Sequence, residues 1–224
     1  MCIFYDDVLK RLKEERLRLS CSQREMSQRV RMNQSNYSKV ELGLRRLNFR
    51  ELEYLCESNV DVHYVYTAQK STGKYTEFLV KCNHSELACF LSVIYSIVAF
   101  QYRNECSEQW KAILEKTQYV PLFEGKQSTA NIFLVLRRSI NCQQKKMADI
   151  LGVDVKKLRD LENGRNLPDS ELLSRLYELF HIPPAVILKD KKCLANEVSI
   201  LLDMMDMENS KWIFDIIKMI HDNK

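Results

Sequence analysis

Apolar residues recur along this chain at helical rather than alternating spacing, in short runs broken by polar capping residues. Between Ser22 and Gly43 the pattern predicts two helices. Ser22 can cap the first and Glu25 can complete a capping box, with Met26 and Val30 four apart on its inner face. Asn33 opens the second, Gln34 to Leu42, in which Tyr37 and Val40 point inward and Leu44 is a further inward candidate. Gln34, Ser35, Asn36, Ser38 and Lys39 fall on the outer face, and Gly43 suits a left-handed helix end.

The same order of residues returns at a constant offset of 121 positions. Cys21 and Cys142, Gln23 and Gln144, Met26 and Met147, Glu41 and Glu162, and Gly43 and Gly164 are identical pairs in one ungapped register. Apolar positions between them correspond in character: Val30 with Leu151, Met32 with Val153, Tyr37 with Leu158, Val40 with Leu161. The second occurrence predicts a helix from Gln144 to Leu151, a turn at Gly152, Asp154 as cap, a helix from Val155 to Asn163, and Gly164 as terminator. Two short helices joined by a tight turn therefore form a unit that the chain uses twice.

Elsewhere the pattern is also helical. Asn83 and Glu86 form a capping-box start for the apolar run Leu87 to Phe100, and Ser107 to Lys116 predicts another helix, so the middle of the chain is expected to be a folded connector. That run is interrupted by Ser92 and Ser96 and is shorter than the roughly 20 residues that cross a bilayer, which favours a buried helix and no membrane partner. In the tail, Trp212, Ile213, Ile216, Ile217 and Ile220 make a stripe that fits core docking and dimerisation equally. Trp110 lies on an apolar stripe as well, so both tryptophans are expected in a core or an interface.

Composition narrows the class. Nearly half of the 224 residues (46%) are hydrophobic, while five glycines and four prolines leave few turn-makers for a many-stranded sheet, so the expected class is all-α. The length fits two small domains, with expected boundaries at 1–67, 68–129, 130–190 and 191–224 for first unit, connector, second unit and tail. A cytoplasmic location is expected, because Asp6, Asp7 and Lys10 interrupt the opening residues where a signal peptide needs an apolar core. The eight cysteines are scattered, with no Cys-x-x-Cys pair, so reduced, mostly buried thiols are expected rather than a disulfide or zinc framework. His63, His84, His181 and His221 have neither metal-like nor triad-like spacing, and no Gly-rich phosphate loop is present. Neither an enzyme nor a cofactor is expected.

These residues resemble the helix-turn-helix domains of phage repressors, Cro-like proteins and xenobiotic-response-type bacterial regulators. The resemblance is carried by Cys142-Gln-Gln-Lys-Lys-Met-Ala-Asp-Ile-Leu-Gly-Val153 with Leu161-Glu-Asn-Gly-Arg-Asn-Leu-Pro168, and by Ser22-Gln-Arg-Glu-Met-Ser-Gln-Arg-Val-Arg-Met32 with Asn33-Gln-Ser-Asn-Tyr-Ser-Lys-Val-Glu-Leu-Gly43. It covers residues 8 to 66 and 130 to 188. The first segment departs from the family pattern at Arg31, where the turn glycine is expected, and at Leu47, where the proline is expected. What the resemblance implies is two lambda-repressor-like helix-turn-helix domains joined by the connector, a double-stranded DNA partner, and action as a symmetric homodimer.

Base reading requires polar side chains that match the donor and acceptor code of the major groove. Gln34 suits adenine, Ser35 and Asn36 suit base edges, and Lys39 suits a phosphate or guanine. The resemblance places Gln23 where the family fastens the helix pair to the DNA backbone, and Arg45 and Arg46 follow the helix where a phosphate would complete the clamp. The net charge of +4 is too small to decide the matter, but residues 10 to 50 hold twelve Lys or Arg against four acids, and charge acts through such clustering. In the second unit the corresponding candidates are Gln144, Lys156, Lys157, Arg159 and Arg165. There Val155 replaces Gln34 and Asp160 replaces Lys39, so that face fits DNA contact, protein docking or a purely structural role. The runner-up to a transcriptional regulator is an antitoxin or phage anti-defence protein that docks a protein partner through residues 68–129 or the C-terminal helix.

Overall fold

Capping chemistry divides this chain into many short helices. A computed structural model describes residues 3–117, 129–188 and 190–222; among these described residues there are fifteen helices and no strand. The protein is all-α. Polar caps appear where the sequence supplies them: Ser22 and Glu25 close a complete capping box, Asn33 accepts from the Asn36 N–H, and Asn48 with Glu51 and Asn83 with Glu86 form further full boxes. Each cap satisfies amide donors that the first helical turn leaves without a partner, worth about 1 kcal/mol apiece.

The chain divides into two compact units, one built from Met1–Ala68 and Gly125–Leu188, the other from Gln69–Glu124 and Lys189–Lys224. In the first unit, helices α1 (Ile3–Arg18), α2 (Gln23–Arg29), α3 (Gln34–Glu41), α4 (Phe49–Glu57) and α5 (Val62–Thr67) come from the first stretch. The second stretch contributes α9 (Thr129–Ser139), α10 (Gln144–Leu151), α11 (Val155–Glu162), α12 (Ser170–Phe180) and α13 (Pro184–Leu188). The inner faces of α1 and α3 meet, as do those of α9 and α11. The core around α2 and α3 is Met26, Val30, Tyr37 and Val40, all buried, and the one around α10 and α11 is Met147, Leu151, Leu158 and Leu161.

Helices α6 (Thr76–Leu79), α7 (His84–Glu105), α8 (Glu108–Thr117), α14 (Lys191–Asp203) and α15 (Met207–Asp222) make the second unit. Helix α7 runs past both ends of the apolar stretch and is long and apolar enough to cross a membrane. Here it buries Leu87, Phe90, Leu91, Ile94 and Val98, and α8, α14 and α15 pack against it. The tail stripe docks within this unit through Ile213 and Ile217, both buried, whereas Trp212 is 49% exposed. Trp110 is a core residue and donates its indole N–H to Glu105 at 2.8 Å. Phe214 packs tilted against Tyr75 and edge-to-face against Phe78, and Thr72 bonds Asp203 through both its amide and its hydroxyl at 2.9 Å.

Two expectations change. Leu44 does not face inward: it is 73% exposed, because the helix ends at Glu41 and Gly43 (φ 71°) turns the chain away from the core. The cysteines are not mostly buried either. Of the seven described, Cys21, Cys82 and Cys193 are buried, while Cys56 and Cys142 are half-buried and Cys89 and Cys106 exposed.

Candidate nucleic-acid interface

The turn between α2 and α3 is set by one residue in the left-handed region. Arg31 has φ 58°, and Gly152, 121 positions on, has φ 61° between α10 and α11. In both turns this residue donates to the carbonyl three back at 3.1 Å, and the next residue donates to the carbonyl five back, at 2.9 Å from Met32 and 3.0 Å from Val153. An arginine there carries a backbone cost of roughly 1 kcal/mol that glycine avoids. Its side chain offsets part of that cost, since the Arg31 guanidinium lies 4.2 Å from the Tyr54 ring centroid and donates to the Tyr54 hydroxyl at 3.2 Å. The C-terminal ends agree too: the Leu44 and Arg165 amides each donate to the carbonyl five back at 2.8 Å.

Behind each turn sits a polar cluster. Arg16 of α1 grips Glu41 at the end of α3 through Nε (2.6 Å) and Nη2 (3.1 Å), and Gln23 Nε2 donates to the same carboxylate at 2.8 Å. Arg137 grips Glu162 at 2.5 and 3.3 Å, and Gln144 Nε2 donates to that carboxylate at 2.8 Å. Both arginines also donate to the carbonyl of a cysteine, Cys21 at 2.8 Å and Cys142 at 3.3 Å. The two glutamates hold each guanidinium more firmly protonated. Side chains of Arg16 and Glu41 are only 8% and 4% exposed, so the pair is shielded from water and breaking it leaves a buried charge, at a cost of about 3–5 kcal/mol. Neither Arg16 nor Arg137 was among the sequence candidates. A bidentate clamp across 25 residues is signalled only by both members recurring at the offset of 121.

The outer face of α3 is open. Gln34, Ser35 and Lys39 are exposed and Asn36 half-buried, with its amide held by the Asn33 cap. Arg24 and Arg29 are exposed on α2. Gln23 lies half-buried at the start of α2 with its amide nitrogen directed to Glu41. Arg45 and Arg46, expected where a phosphate would complete the clamp, are each paired with a carboxylate. Arg45 chelates Glu51 at 3.0 and 2.6 Å, bracing the capping box of α4, and Arg46 pairs with Glu171 of α12 while its own side chain stays 56% exposed.

On the second pair, Lys156, Arg159 and Arg165 are exposed, Val155 and Asp160 half-buried. Lys157 is pulled to Asp169 at 3.0 Å, and Gln144 is tied to Glu162. The face of α3 therefore offers amide, hydroxyl and ammonium groups together, and that of α11 offers cations around a carboxylate.

In the second unit, Cys82, Glu86 and His221 bring one potential ligand atom each within 4.8 Å of one another. His221 Nδ1 lies 3.0 Å from Glu86, whose other oxygen accepts from the Asn83 amide, so the glutamate already serves as the capping partner of α7. No local spacing could have announced this cluster, because Glu86 and His221 lie 135 residues apart. The chain matches no protein-family model, no curated protein and no solved structure.

Proposed function

We propose that this chain is a cytoplasmic, non-enzymatic regulator that binds specific double-stranded DNA through two helix-turn-helix units, α2–α3 and α10–α11. The observation that carries the reading is the outer face of α3. It presents Gln34, Ser35 and Lys39 to solvent on a helix whose inner face is locked by Tyr37, Val40 and the Arg16–Gln23–Glu41 cluster. A groove reader needs that division: side chains free to pair with base edges, on a helix unable to shift beneath them. Exposed Arg24 and Arg29 on the neighbouring helix supply cations for phosphates.

The two readers are unequal. Helix α3 is the base reader, and α11, with Val155 and Asp160 at the matching positions, contributes mainly backbone attraction through Lys156 and Arg159. The test is selection from a random duplex pool. Enrichment of one sequence class, lost in Gln34→Ala, supports the reading, and retention of no duplex contradicts it.

One observation favours a second reading, in which the chain docks a protein. Leu42 and Leu44 at the end of α3 are 65% and 73% exposed, where the second pair has Asn163 and Arg165. An apolar pair beside the reading helix suits a protein surface better than phosphates. Loss of duplex binding in Leu42→Ser plus Leu44→Ser without loss of fold would give that surface a role on DNA instead.

A further inference from the structure

The packing between the two five-helix groups of the first unit has a symmetry of its own. Helix α5 packs on α13, its counterpart 121 positions on. Helix α5 also packs on α12, and α13 packs on α4. Exchanging each helix for its counterpart turns α5–α12 into α13–α4, so the two contacts are one contact seen from both sides. That exchange is the mark of a two-fold relation rather than a head-to-tail one, and it belongs to this seam, since α1 also packs on α12 without α9 packing equally on α4.

The joint is built to stay closed. Ser170, which opens α12 and is 2% exposed, donates its amide to the Leu47 carbonyl at 2.9 Å and accepts from the Leu47 amide at 3.0 Å through its hydroxyl. The Tyr5 hydroxyl lies 2.6 Å from the same oxygen, and the Tyr66 hydroxyl donates to the Ser170 carbonyl at 3.2 Å. These bonds tie the approach to α4 to the start of α12. The lock occurs once, because Phe49 stands at the position matching Ser170 and Pro168, which has no N–H, at that matching Leu47. The symmetry is therefore approximate, and the bonds that close the joint lie on one side of it.

Resting on the DNA-binding reading above, we infer that one chain is its own dimer: a single molecule occupies an operator of two inverted, unequal half-sites, one read by α3 and the other contacted by α11. Two readers related by a two-fold axis meet one duplex in register only when the half-sites are related by the duplex dyad. The half-sites differ because Val155, Lys156 and Asp160 stand at the positions matching Gln34, Ser35 and Lys39. A second copy is not needed to complete the site.

The experiment uses the full chain and a variant carrying Val155→Gln, Lys156→Ser and Asp160→Lys, which gives α11 the face of α3 and keeps the Lys157–Asp169 pair. Duplexes carry the sequence selected by the wild-type chain, or its α3 half-site repeated in inverted or direct orientation over a series of spacings. Native mass spectrometry reports chains per duplex, and titration reports affinity. The expected result is one chain per duplex for both proteins, with the variant binding the inverted repeat at its best spacing at least tenfold tighter than any direct repeat. Hydroxyl-radical footprints of the wild-type chain should show two protected patches related by a dyad. Two chains per duplex, or a direct repeat bound as tightly, overturns the inference and leaves the DNA-binding reading standing. Failure of both proteins to retain any duplex overturns both.

Discussion

Three tyrosines show how single residues tie the first unit to pH. Burial pushes the Tyr5 hydroxyl up to about 12 and also raises those of Tyr37 and Tyr66, the latter well above the ordinary phenol value. A group whose folded pKa is raised contributes stability that is complete below the unfolded value, near 10, and is lost as pH rises through the folded one. For Tyr5 that amounts to about 2–3 kcal/mol between pH 10 and pH 12. Alkaline titration followed by circular dichroism should therefore show unfolding that begins above pH 10, and Tyr5→Phe should move the midpoint upward; an unmoved midpoint would place the sensitivity elsewhere. Glu41 gives a second handle. Glu41→Ala strands Arg16 and should lower stability by about 3 kcal/mol, whereas removing Arg16 as well should recover part of the loss, because the stranded charge goes with it. A double variant as unstable as the sum of the singles would mean the pair contributes nothing as a pair.

At the scale of elements, capping residues and left-handed turns were legible from the sequence because their chemistry is local. Ser22 with Glu25, Asn33, Asp154 and Asn83 with Glu86 all cap where the spacing predicts, and α10 has the predicted ends, Gln144 and Leu151. What was not legible depends on partners far along the chain. The spacing that sets Arg45 and Arg46 after a helix does not show that Glu51 and Glu171 pair with them, the second of these lying 125 residues away from Arg46. The gathering of connector and tail into one unit, and of the two helix pairs into another, was likewise invisible to periodicity, which reports a face but not what covers it. The turns offer a paired test. Gly152→Ala should destabilise by about 1–2 kcal/mol, since a Cβ at φ 61° is strained and meets the Arg175 guanidinium, which holds the Leu151 carbonyl. Arg31→Gly should change stability by less than about 0.5 kcal/mol, because relief of the left-handed arginine is balanced by loss of its contact with Tyr54. Thermal melts of the two variants check both.

For the whole molecule, the proposal makes function the sum of two unlike faces. A specific contact and a phosphate contact fail differently: Gln34→Ala should weaken binding of the selected duplex by roughly 1–3 kcal/mol and blur its preference, while loss of a cation should weaken all duplexes alike and reduce the salt slope by about one. The most direct measurement is a titration of the selected duplex, at two salt concentrations, with three variants: Gln34→Ala plus Lys39→Ala, Lys156→Ala plus Arg159→Ala, and Asp160→Lys. The account predicts that the first abolishes specific retention, that the second lowers affinity modestly with a shallower salt dependence, and that the third binds tighter, a cation having replaced a carboxylate beside the phosphates. Unchanged binding in all three would contradict it and move the function to another surface.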